Sequence, residues 1–211
     1  MQDLSKKIYE YCEAHSSGPL PVLEEIERAT HLHTLSPRML SGHLQGSFLS
    51  LISMMCSPVS ILEIGTFTGY SAVCLARGLR PGGKLCTMEY DPEHAAMARR
   101  FIEKSGFGDR IQLMEGDARK LIPQVESTFD LVFIDADKES YGTYFDLVID
   151  KCRSGSIIIA DNVLWSGKVV DEPKDKKTEI IDRFNKKIHA DARVETVILP
   201  VRDGLSLIRV L

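Results

Sequence analysis

The first third of the chain repeats apolar residues at helical spacing and predicts three helices. Pro21 suits the first turn of a helix and opens the second of them. The predicted helices cover residues 3–15, 21–33 and roughly 44–56. Between the last two, residues 36–43 contain Ser, Pro and Gly and predict a loop. The chain therefore begins with a helical segment, and its pattern changes after residue 57.

From Ser60 onward, short runs of β-branched and aliphatic residues alternate with helical patterns. Strands and helices of these lengths in alternation are typical of a parallel sheet with right-handed crossovers. The predicted strands are residues 61–65, 84–90, 111–115, 131–135 and 157–159. The predicted helices are residues 69–79, 93–105, a short stretch after 115, and 141–152. The pattern predicts a doubly wound α/β fold.

The end of the chain departs from this alternation. After a predicted helix over residues 178–190, the strands 194–200 and 205–211 are separated only by residues 201–204. A connection of this length suits an antiparallel hairpin and is too short for a parallel crossover. We therefore expect a mostly parallel, seven-stranded sheet with one antiparallel strand. A charged segment, residues 168–177, predicts a mobile loop near the strand tips.

Length and composition fit one sizeable α/β domain, with 211 residues, 44% apolar and 27% charged. We expect a single domain in which residues 1–57 form a helical cover and residues 58–211 the α/β core. The five cysteines form no CxxC pair and indicate reduced thiols. The N-terminus lacks the apolar core of a secretion signal, and no apolar stretch is long enough to span a bilayer. These features predict a cytoplasmic protein without a membrane partner.

Acidic and amide side chains follow two of the predicted strands. Asp135 follows residues 131–134, while Asp161 and Asn162 follow residues 157–159. Ligands of parallel sheets bind beyond the carboxyl ends of the strands, and neighbouring strand tips lie about 4.8 Å apart. These side chains could therefore converge on one ion, and a donor set made only of oxygen favours Mg²⁺, Mn²⁺ or Ca²⁺ over zinc. Alternatively, each caps a turn or helix, as Asp and Asn commonly do.

A glycine-containing motif, residues 63–71, lies at the first predicted strand-to-helix turn. Gly65 and Gly69 allow the backbone to approach a ligand, but the motif is not GxGxxG, so a pyrophosphate would pass less closely than in nicotinamide enzymes. Glu89 ends the next strand, where an acidic residue can bind the two ribose hydroxyls of a nucleoside. The combination indicates a nucleoside site, whereas two glycines alone would indicate only a tight turn.

Several segments together resemble the cation-dependent O-methyltransferases, a family that includes caffeoyl-CoA and catechol O-methyltransferases and many bacterial relatives. The segments are residues 63–71, 88–91, 115–118, 133–138 and 199–204, together with Asp161, Asn162, Trp165 and Gly167. The resemblance runs from about residue 36 to the end. It implies the class I S-adenosylmethionine-dependent methyltransferase fold, with S-adenosyl-L-methionine and a divalent cation as cofactors. Mg²⁺ is the preferred ion, with Mn²⁺ and Ca²⁺ as alternatives.

The resemblance also implies roles for individual residues. The implied contacts to the methionine half of the cofactor are Ser41, Glu63, Gly65, Thr66 and Ser71. The implied nucleoside contacts are Glu89 at the ribose and Asp117 and Ala118 at the adenine. The implied metal ligands are Asp135, Asp161 and Asn162, and Asp135 is also an implied cofactor contact. The implied catalytic residues are Lys138, which acts as the base, together with Asp135 and Asn162. Trp165, the only tryptophan, either walls the acceptor pocket or packs in the core.

The leading hypothesis is an O-methyltransferase acting on a small vicinal dihydroxy aromatic, catechol-like or caffeoyl-like, in a homodimer. The second is the same chemistry on 5-hydroxyuridine in tRNA. The net charge of −4 gives no general attraction to nucleic acid, but lysines 174, 176, 177, 186 and 187 could form a local basic patch. A cofactor-binding scaffold without chemistry and a nicotinamide dehydrogenase are weaker alternatives. The insertion that plant enzymes use to recognise acyl-CoA is shortened in this chain, so neither named substrate transfers directly.

Overall fold

The computed structural model describes residues 2–211, with side chains described from Lys6 onward, so the first residue of the predicted 1–57 cover lies outside it. The helices are α1 Gln2–Ala14, α2 Pro21–His33, α3 Gly42–Cys56, α4 Tyr70–Ala76, α5 Pro92–Lys104, α6 Ala118–Leu121, α7 Tyr141–Ile149 and α8 Lys176–Ala190. The strands are β1 Ser60–Ile64, β2 Lys84–Glu89, β3 Ile111–Glu115, β4 Phe129–Ile134, β5 Cys152–Asp161, β6 Val194–Leu199 and β7 Leu205–Val210. The helices and strands follow the predicted order.

The seven strands form one sheet in the order β3-β2-β1-β4-β5-β7-β6. Strands β1 to β5 pair in parallel, and β7 runs antiparallel to both β5 and β6. The predicted mostly parallel sheet with one antiparallel strand is confirmed. Strand order reverses between β1 and β4, and a sheet of this kind binds ligands in the crevice at such a point.

Helices cover both faces of the sheet because its strands alternate apolar side chains between two cores. Ile61, Leu131 and Phe133 pack with α2 to α5 on one face. Leu62 and Val132 pack with α6 to α8 on the other. Strands buried on both faces read as continuous apolar runs, which explains why the sequence revealed them.

Two predicted helix ends are wrong, since α4 ends at Ala76 and not at residue 79, and α7 also ends early. The pattern predicted a helix over residues 141–152, but α7 ends at Ile149 and Cys152 already begins β5. Cys152 pairs with Phe129 of β4, and an irregularity in register follows before Leu131 pairs with Ile157. The early part of β5 is exposed and polar and contains Gly155, so local sequence gave no strand signal there.

The loop predicted over residues 168–177 is also shorter than expected. Lys168–Val170 forms a short 3-10 helix, and α8 begins at Lys176 because Asp175 caps it, accepting a hydrogen bond from Thr178 N at 2.8 Å. All five cysteines are free, as predicted. None of the described helices combines the length and apolar character needed to cross a membrane.

Candidate active site

A cavity of about 780 Å³ opens at the carboxyl ends of β1, β2, β4 and β5. Of the residues predicted for a site, all but Glu63 line it. They are Ser41, Gly65, Thr66, Ser71, Glu89, Asp117, Ala118, Asp135, Lys138, Asp161, Asn162 and Trp165. Residues spread over 125 positions of sequence thus share one crevice, at the edge of the sheet where the parallel strands end.

The turn after β1 requires glycine because two strand ends approach closely there. Gly65 has φ of +97°, and a Cβ atom at this position would lie 2.1 Å from the carbonyl oxygen of Asp135. The following turn is fixed from outside the sheet, since the Thr68 hydroxyl lies 2.8 Å from the hydroxyl of Thr30 on α2 and shares a hydrogen bond with it. Both threonines are buried. The backbone at Gly65 therefore forms a fixed floor for the cavity.

Glu63 lies behind the cavity wall and does not line it, unlike the other predicted residues. Its side chain is fully buried, and Thr87 donates a hydrogen bond to Glu63 Oε2 at 2.5 Å. The Thr87 hydroxyl in turn lies 2.5 Å from the hydroxyl of Thr66, which does line the cavity. Burial raises the pKa of Glu63 to about 8, although hydrogen bonds from Ser71 and Thr87 oppose that rise. Glu63 therefore reaches the cavity only through threonine and serine hydroxyls.

Glu89 lies at the end of β2 with its carboxylate fixed by backbone amides. Phe67 N donates to Oε2 at 2.7 Å, and Asp91 N donates to Oε1 at 2.9 Å. Two carboxylate oxygens can accept about four hydrogen bonds in total, so each keeps capacity for a further donor such as a ribose hydroxyl. Tyr90, which follows, is exposed and also lines the cavity.

Asp117 and Ala118 line the cavity just after the end of β3. Arg119 holds the Asp117 carboxylate through its Nη2 at 2.7 Å and its Nε at 2.9 Å, and this ion pair lowers the pKa of Asp117 to about 2. Asp117 also caps α6, accepting from the Arg119 backbone N–H at 3.0 Å. The Asp117 side chain therefore combines the capping role with a place on the cavity wall.

Asp135 and Asp161 leave neighbouring strands at the same level. Ile134 of β4 pairs with Ala160 of β5, so the next residue of each strand is an aspartate. Asp161 is almost fully buried, and its pKa is raised to about 7 by burial and then by the negative charge of Asp135. Its Oδ2 accepts a hydrogen bond from Gln45 of α3 at 2.6 Å.

This acidic pair, with the amide oxygen of the adjacent Asn162, could hold a divalent cation. Among the side chains described from Lys6 onward, no group of three or more His, Cys, Asp or Glu could hold a metal ion, so Asn162 is the candidate for a third protein ligand. The donor set is all oxygen, which suits Mg²⁺. The pKa of Asp161 is raised first by burial and then by the charge of Asp135, and a cation between the two carboxylates would oppose both effects.

Lys138 lies beside this pair. Its Nζ is 2.9 Å from Asp135 Oδ1 and 2.6 Å from the hydroxyl oxygen of Tyr141. The Tyr141 hydroxyl donates to the carbonyl oxygen of Asp161 at 3.0 Å, and its ring is buried in the core. These two contacts leave one direction at Nζ open for a ligand in the cavity. Tyr141 therefore packs in the core and also fixes the position of Lys138.

The O-methyltransferase family model matches residues 13–211, which is most of the chain. The chain belongs to the O-methyltransferase family. A catechol O-methyltransferase of Niastella koreensis is 39% identical over 77% of this chain and 78% of its own length. A caffeoyl-CoA O-methyltransferase of Eucalyptus gunnii is 32% identical over 97% of this chain and 88% of its own length.

Solved structures agree with this membership. The methyltransferase PaMTH1 of Podospora anserina, bound to S-adenosylhomocysteine (SAH), superposes with a TM-score of 0.91 at 30% identity, over 99% of this chain and 96% of its own. The SAH-bound O-methyltransferase of Bacillus cereus superposes with a TM-score of 0.90 at 34% identity, over 97% of both chains. The chain is therefore an O-methyltransferase with the class I methyltransferase fold.

In this O-methyltransferase, the segment after β5 has an unusual backbone. Asn162, Trp165 and Ser166 all have positive φ, at +57°, +50° and +55°. Positive φ is costly for residues other than glycine, so contacts elsewhere must hold the segment in place. Trp165 both lines the cavity and packs against the apolar core.

The residues of the methyltransferase site that the sequence reasoning missed include Gln45, Tyr144, Arg202 and Asp203. Tyr144 lines the cavity and donates a hydrogen bond to Asp137 Oδ2. Arg202 and Asp203 line it from the turn between β6 and β7. That turn was recognised as a motif but given no role. The sequence signal for such a role was the adjacent pair Arg202 and Asp203, because a hairpin turn does not itself require charged residues.

Proposed function

We propose that this chain is an S-adenosylmethionine-dependent, divalent-metal-dependent O-methyltransferase that acts on a small vicinal dihydroxy aromatic. The proposal depends chiefly on one observation, the emergence of Asp135 and Asp161 side by side at the edge of the cavity. The names of the relatives, catechol and caffeoyl-CoA O-methyltransferase, support a dihydroxy aromatic acceptor. The SAH bound in two similar structures supports the cofactor.

S-adenosylmethionine, when bound, supplies a methyl group on a positively charged sulfur. Ser41, Gly65, Thr66 and Ser71 would hold its methionine half along the glycine turn, where small side chains leave backbone groups within reach. Glu89 would accept the two ribose hydroxyls, because its oxygens are fixed by two backbone N–H groups and retain lone pairs. Ala118, with Asp117, would border the adenine. Glu63 would not contact the cofactor directly but would position Thr66 through the Thr87 hydroxyl.

Asp135, Asp161 and Asn162 would hold the divalent cation, which supplies positive charge that lowers the pKa of a hydroxyl and orients two adjacent oxygens. The residues themselves provide the rest of the arrangement. Asp161 is kept in place by Gln45, and Asp135 by Lys138. The ordinary pKa of a phenol is near that of tyrosine, about 10, so a phenol needs this assistance to become a good nucleophile at neutral pH.

Lys138 would take the proton of the acceptor hydroxyl. Its Nζ is held by Asp135 and Tyr141 and borders the cavity, with its side chain only 17% exposed. As the neutral amine, Lys138 would accept this proton on the Nζ lone pair. The acceptor oxygen would then bond to the methyl carbon, and the electron pair of the broken carbon–sulfur bond would remain on sulfur. Trp165 would border the aromatic ring of the acceptor, since a flat apolar side chain suits a flat ligand.

A small-molecule acceptor is preferred to tRNA because three of the five lysines of the proposed basic patch form ion pairs with carboxylates. Lys174 lies 2.7 Å from Glu172, Lys186 lies 2.8 Å from Asp182, and Lys187 lies 2.5 Å from Asp146. Paired lysines release few counterions when they meet a phosphate backbone, so they contribute little affinity.

The homodimer stays a prediction. Its support is an apolar strip on α3, where Leu51 and Met55 are 58% and 79% exposed. Light scattering of the wild type and of Met55→Lys measures the mass directly. We expect a dimer that the substitution weakens, and a monomeric wild type would contradict the prediction.

An acceptor screen tests the proposed function. Methyl transfer from labelled S-adenosylmethionine is measured to catechols, a caffeoyl ester and undermodified tRNA, with and without EDTA. We expect transfer to a catechol-like acceptor that EDTA abolishes and Mg²⁺ restores. Asp161→Ala should be inactive, and Asp171→Ala, at an exposed carboxylate, should match the wild type. Transfer that survives both EDTA and Asp161→Ala would refute the metal, and transfer to tRNA alone would refute the acceptor.

A further inference from the structure

The turn between β6 and β7 contacts two segments that border the cavity and lie far apart in the sequence. One is the entry loop, defined here as residues 37–41, which precedes α3. The other is the Trp165 segment, defined as residues 162–167, which follows β5. Arg202 binds the first and Asp203 binds the second. Adjacent residues thus hold two cavity walls whose chain positions lie more than 100 residues apart.

Arg202 contacts the entry loop through backbone carbonyls alone. Its Nη1 donates to Leu40 O at 2.8 Å and also to Ser41 O, and its Nη2 lies 3.5 Å from Arg38 O. Carbonyl oxygens carry no net charge, so this contact is a set of directed hydrogen bonds that needs the planar fork of a guanidinium. Leu40 and Ser41 are buried, while Met39 between them and Arg38 is 56% exposed. The loop is therefore held at its inner end and open to solvent at its outer end.

Asp203 contacts the Trp165 segment through both its side chain and its backbone, and accepts hydrogen bonds from backbone N–H groups. Its Oδ1 accepts a hydrogen bond from Ser166 N, and its carbonyl oxygen accepts one from Leu164 N at 2.9 Å. Gly204 completes the contact, because a Cβ atom there would lie 2.4 Å from Leu164 Cγ. These bonds fix residues whose positive φ would otherwise be unfavourable.

We propose that Arg202 is a positioning residue that closes the entry loop over the cofactor, while Asp203 independently fixes the wall of the acceptor pocket. In this proposal Arg202 acts through the backbone of Leu40 and Ser41, to which its guanidinium donates. The inference rests on the proposed function for the identity of the cofactor. It assigns the turn at residues 201–204 a role in ligand retention beyond its role as a hairpin connection.

The two halves of the proposal predict different kinetic effects. Arg202→Ala removes charge-assisted bonds and should raise the dissociation constant of SAH about tenfold or more, with kcat at saturating substrates changed much less. Asp203→Ala should instead raise the KM for the acceptor and leave SAH affinity near that of the wild type. Arg202→Lys keeps the charge but not the fork, and it should resemble Arg202→Ala. Arg183→Ala, at an exposed arginine of α8, is the matched control.

The loop also contains its own reporter, since trypsin can cleave after Arg38. Appearance of the fragment ending at Arg38 is followed by mass spectrometry, in the wild type and in each variant, with and without SAH. We expect Arg202→Ala and Arg202→Lys to be cleaved several-fold faster than the wild type and the Arg183 control, and bound SAH to slow cleavage of the wild type. Circular dichroism melting separates local opening from global unfolding.

Equal cleavage at Arg38 in the wild type and both Arg202 variants would overturn the role of Arg202, as would equal SAH affinity. Loss of SAH affinity in Asp203→Ala to the same degree as in Arg202→Ala would overturn the division between the two walls. If the wild type binds no SAH, the proposed function fails, and the cleavage rates without ligand still decide whether Arg202 holds the loop.

Discussion

The side-chain amide of Gln45 donates a hydrogen bond to Asp161 at 2.6 Å and links α3 to the carboxyl end of β5. Gln45 is fully buried, and its Oε1 has no hydrogen-bond partner among the described residues. A buried amide oxygen without a hydrogen-bond partner lowers the stability of the folded protein. Such a group in a native structure is often explained by a functional role. The helices before the sheet thus contribute a polar group to the proposed metal centre.

We predict that Gln45→Ala weakens Mg²⁺ binding. The Gln45 hydrogen bond opposes the rise in the pKa of Asp161, so its loss should raise that pKa further and disfavour the ionised ligand. Loss of such a supporting contact typically weakens metal affinity by about 10- to 100-fold. The Mg²⁺ dependence of the melting temperature measures the change. Gln124→Ala, at an exposed glutamine, serves as the control, and coincident Mg²⁺ titrations of wild type and Gln45→Ala would refute the prediction.

Stabilisation of the wild type by Mg²⁺ should increase between pH 6 and pH 8. The pKa of Asp161 is raised to about 7, first by burial and then by the charge of Asp135. At pH 6 a proton largely occupies this carboxyl, whereas at pH 8 the cation meets two ionised carboxylates. Thermal melting with and without Mg²⁺ at each pH provides the measurement. Asp161→Asn should remove most of the pH dependence, and an identical Mg²⁺ effect at both pH values in the wild type would count against the site.

Glu63 should make the protein less stable as pH rises. Burial raises its pKa from 4.5 to about 8, so between these values the folded state keeps a proton that the unfolded state has released. Stability conferred by this proton is therefore lost as pH increases through that window, by about 1.4 kcal/mol per pH unit. Glu63→Gln should show a flatter dependence in urea unfolding at pH 5.5, 7 and 8.5. The control Glu179→Gln, at an exposed carboxylate of α8, should show the same pH dependence of stability as the wild type. The same pH dependence in Glu63→Gln would contradict the prediction, because it would mean that Glu63 is ionised in the folded state at all three pH values.

Lys138→Met should reduce kcat by about 100-fold or more, the usual effect of removing a positioned proton acceptor. The dissociation constant of SAH should change little, because Lys138 contacts Asp135 and Tyr141 and lies outside the glycine turn. Calorimetry and single-turnover methyl transfer separate the two quantities. Lys176→Met alters an exposed lysine at the start of α8 and should leave both unchanged. A Lys138→Met variant with wild-type kcat would exclude Lys138 as the base.

Sequence pattern was sufficient for the order of the elements and for the convergence of Asp135 with Asp161. Parallel strands in register bring their carboxyl ends to one edge, so two aspartates just beyond buried runs had to meet if the strands were neighbours. The antiparallel β7 followed from the short turn before it. Both inferences used local periodicity together with a general rule of sheet geometry.

The position of Glu63 behind the cavity wall could have been predicted from the alternation of side chains along β1. Side chains alternate along a strand, so Glu63 faces the same layer as Ile61, against the helices, and not the tip of β1. Gln45 and Arg202 are different in kind. Their partners lie 116 and 161 positions away in the chain, and no local periodicity encodes contacts between a helix or turn and a distant loop.

The hydrogen bond between Thr30 and Thr68 restricts how members of this family can be recombined. A chimera joined at residue 57 would pair the sheet of one parent with the helices of another, and both Thr68 and Asp161 would then depend on foreign partners for Thr30 and Gln45. Exchange of acceptor preference between relatives should succeed more readily when α2 and α3 are kept with their own sheet and the donor sequence is confined to the Trp165 segment.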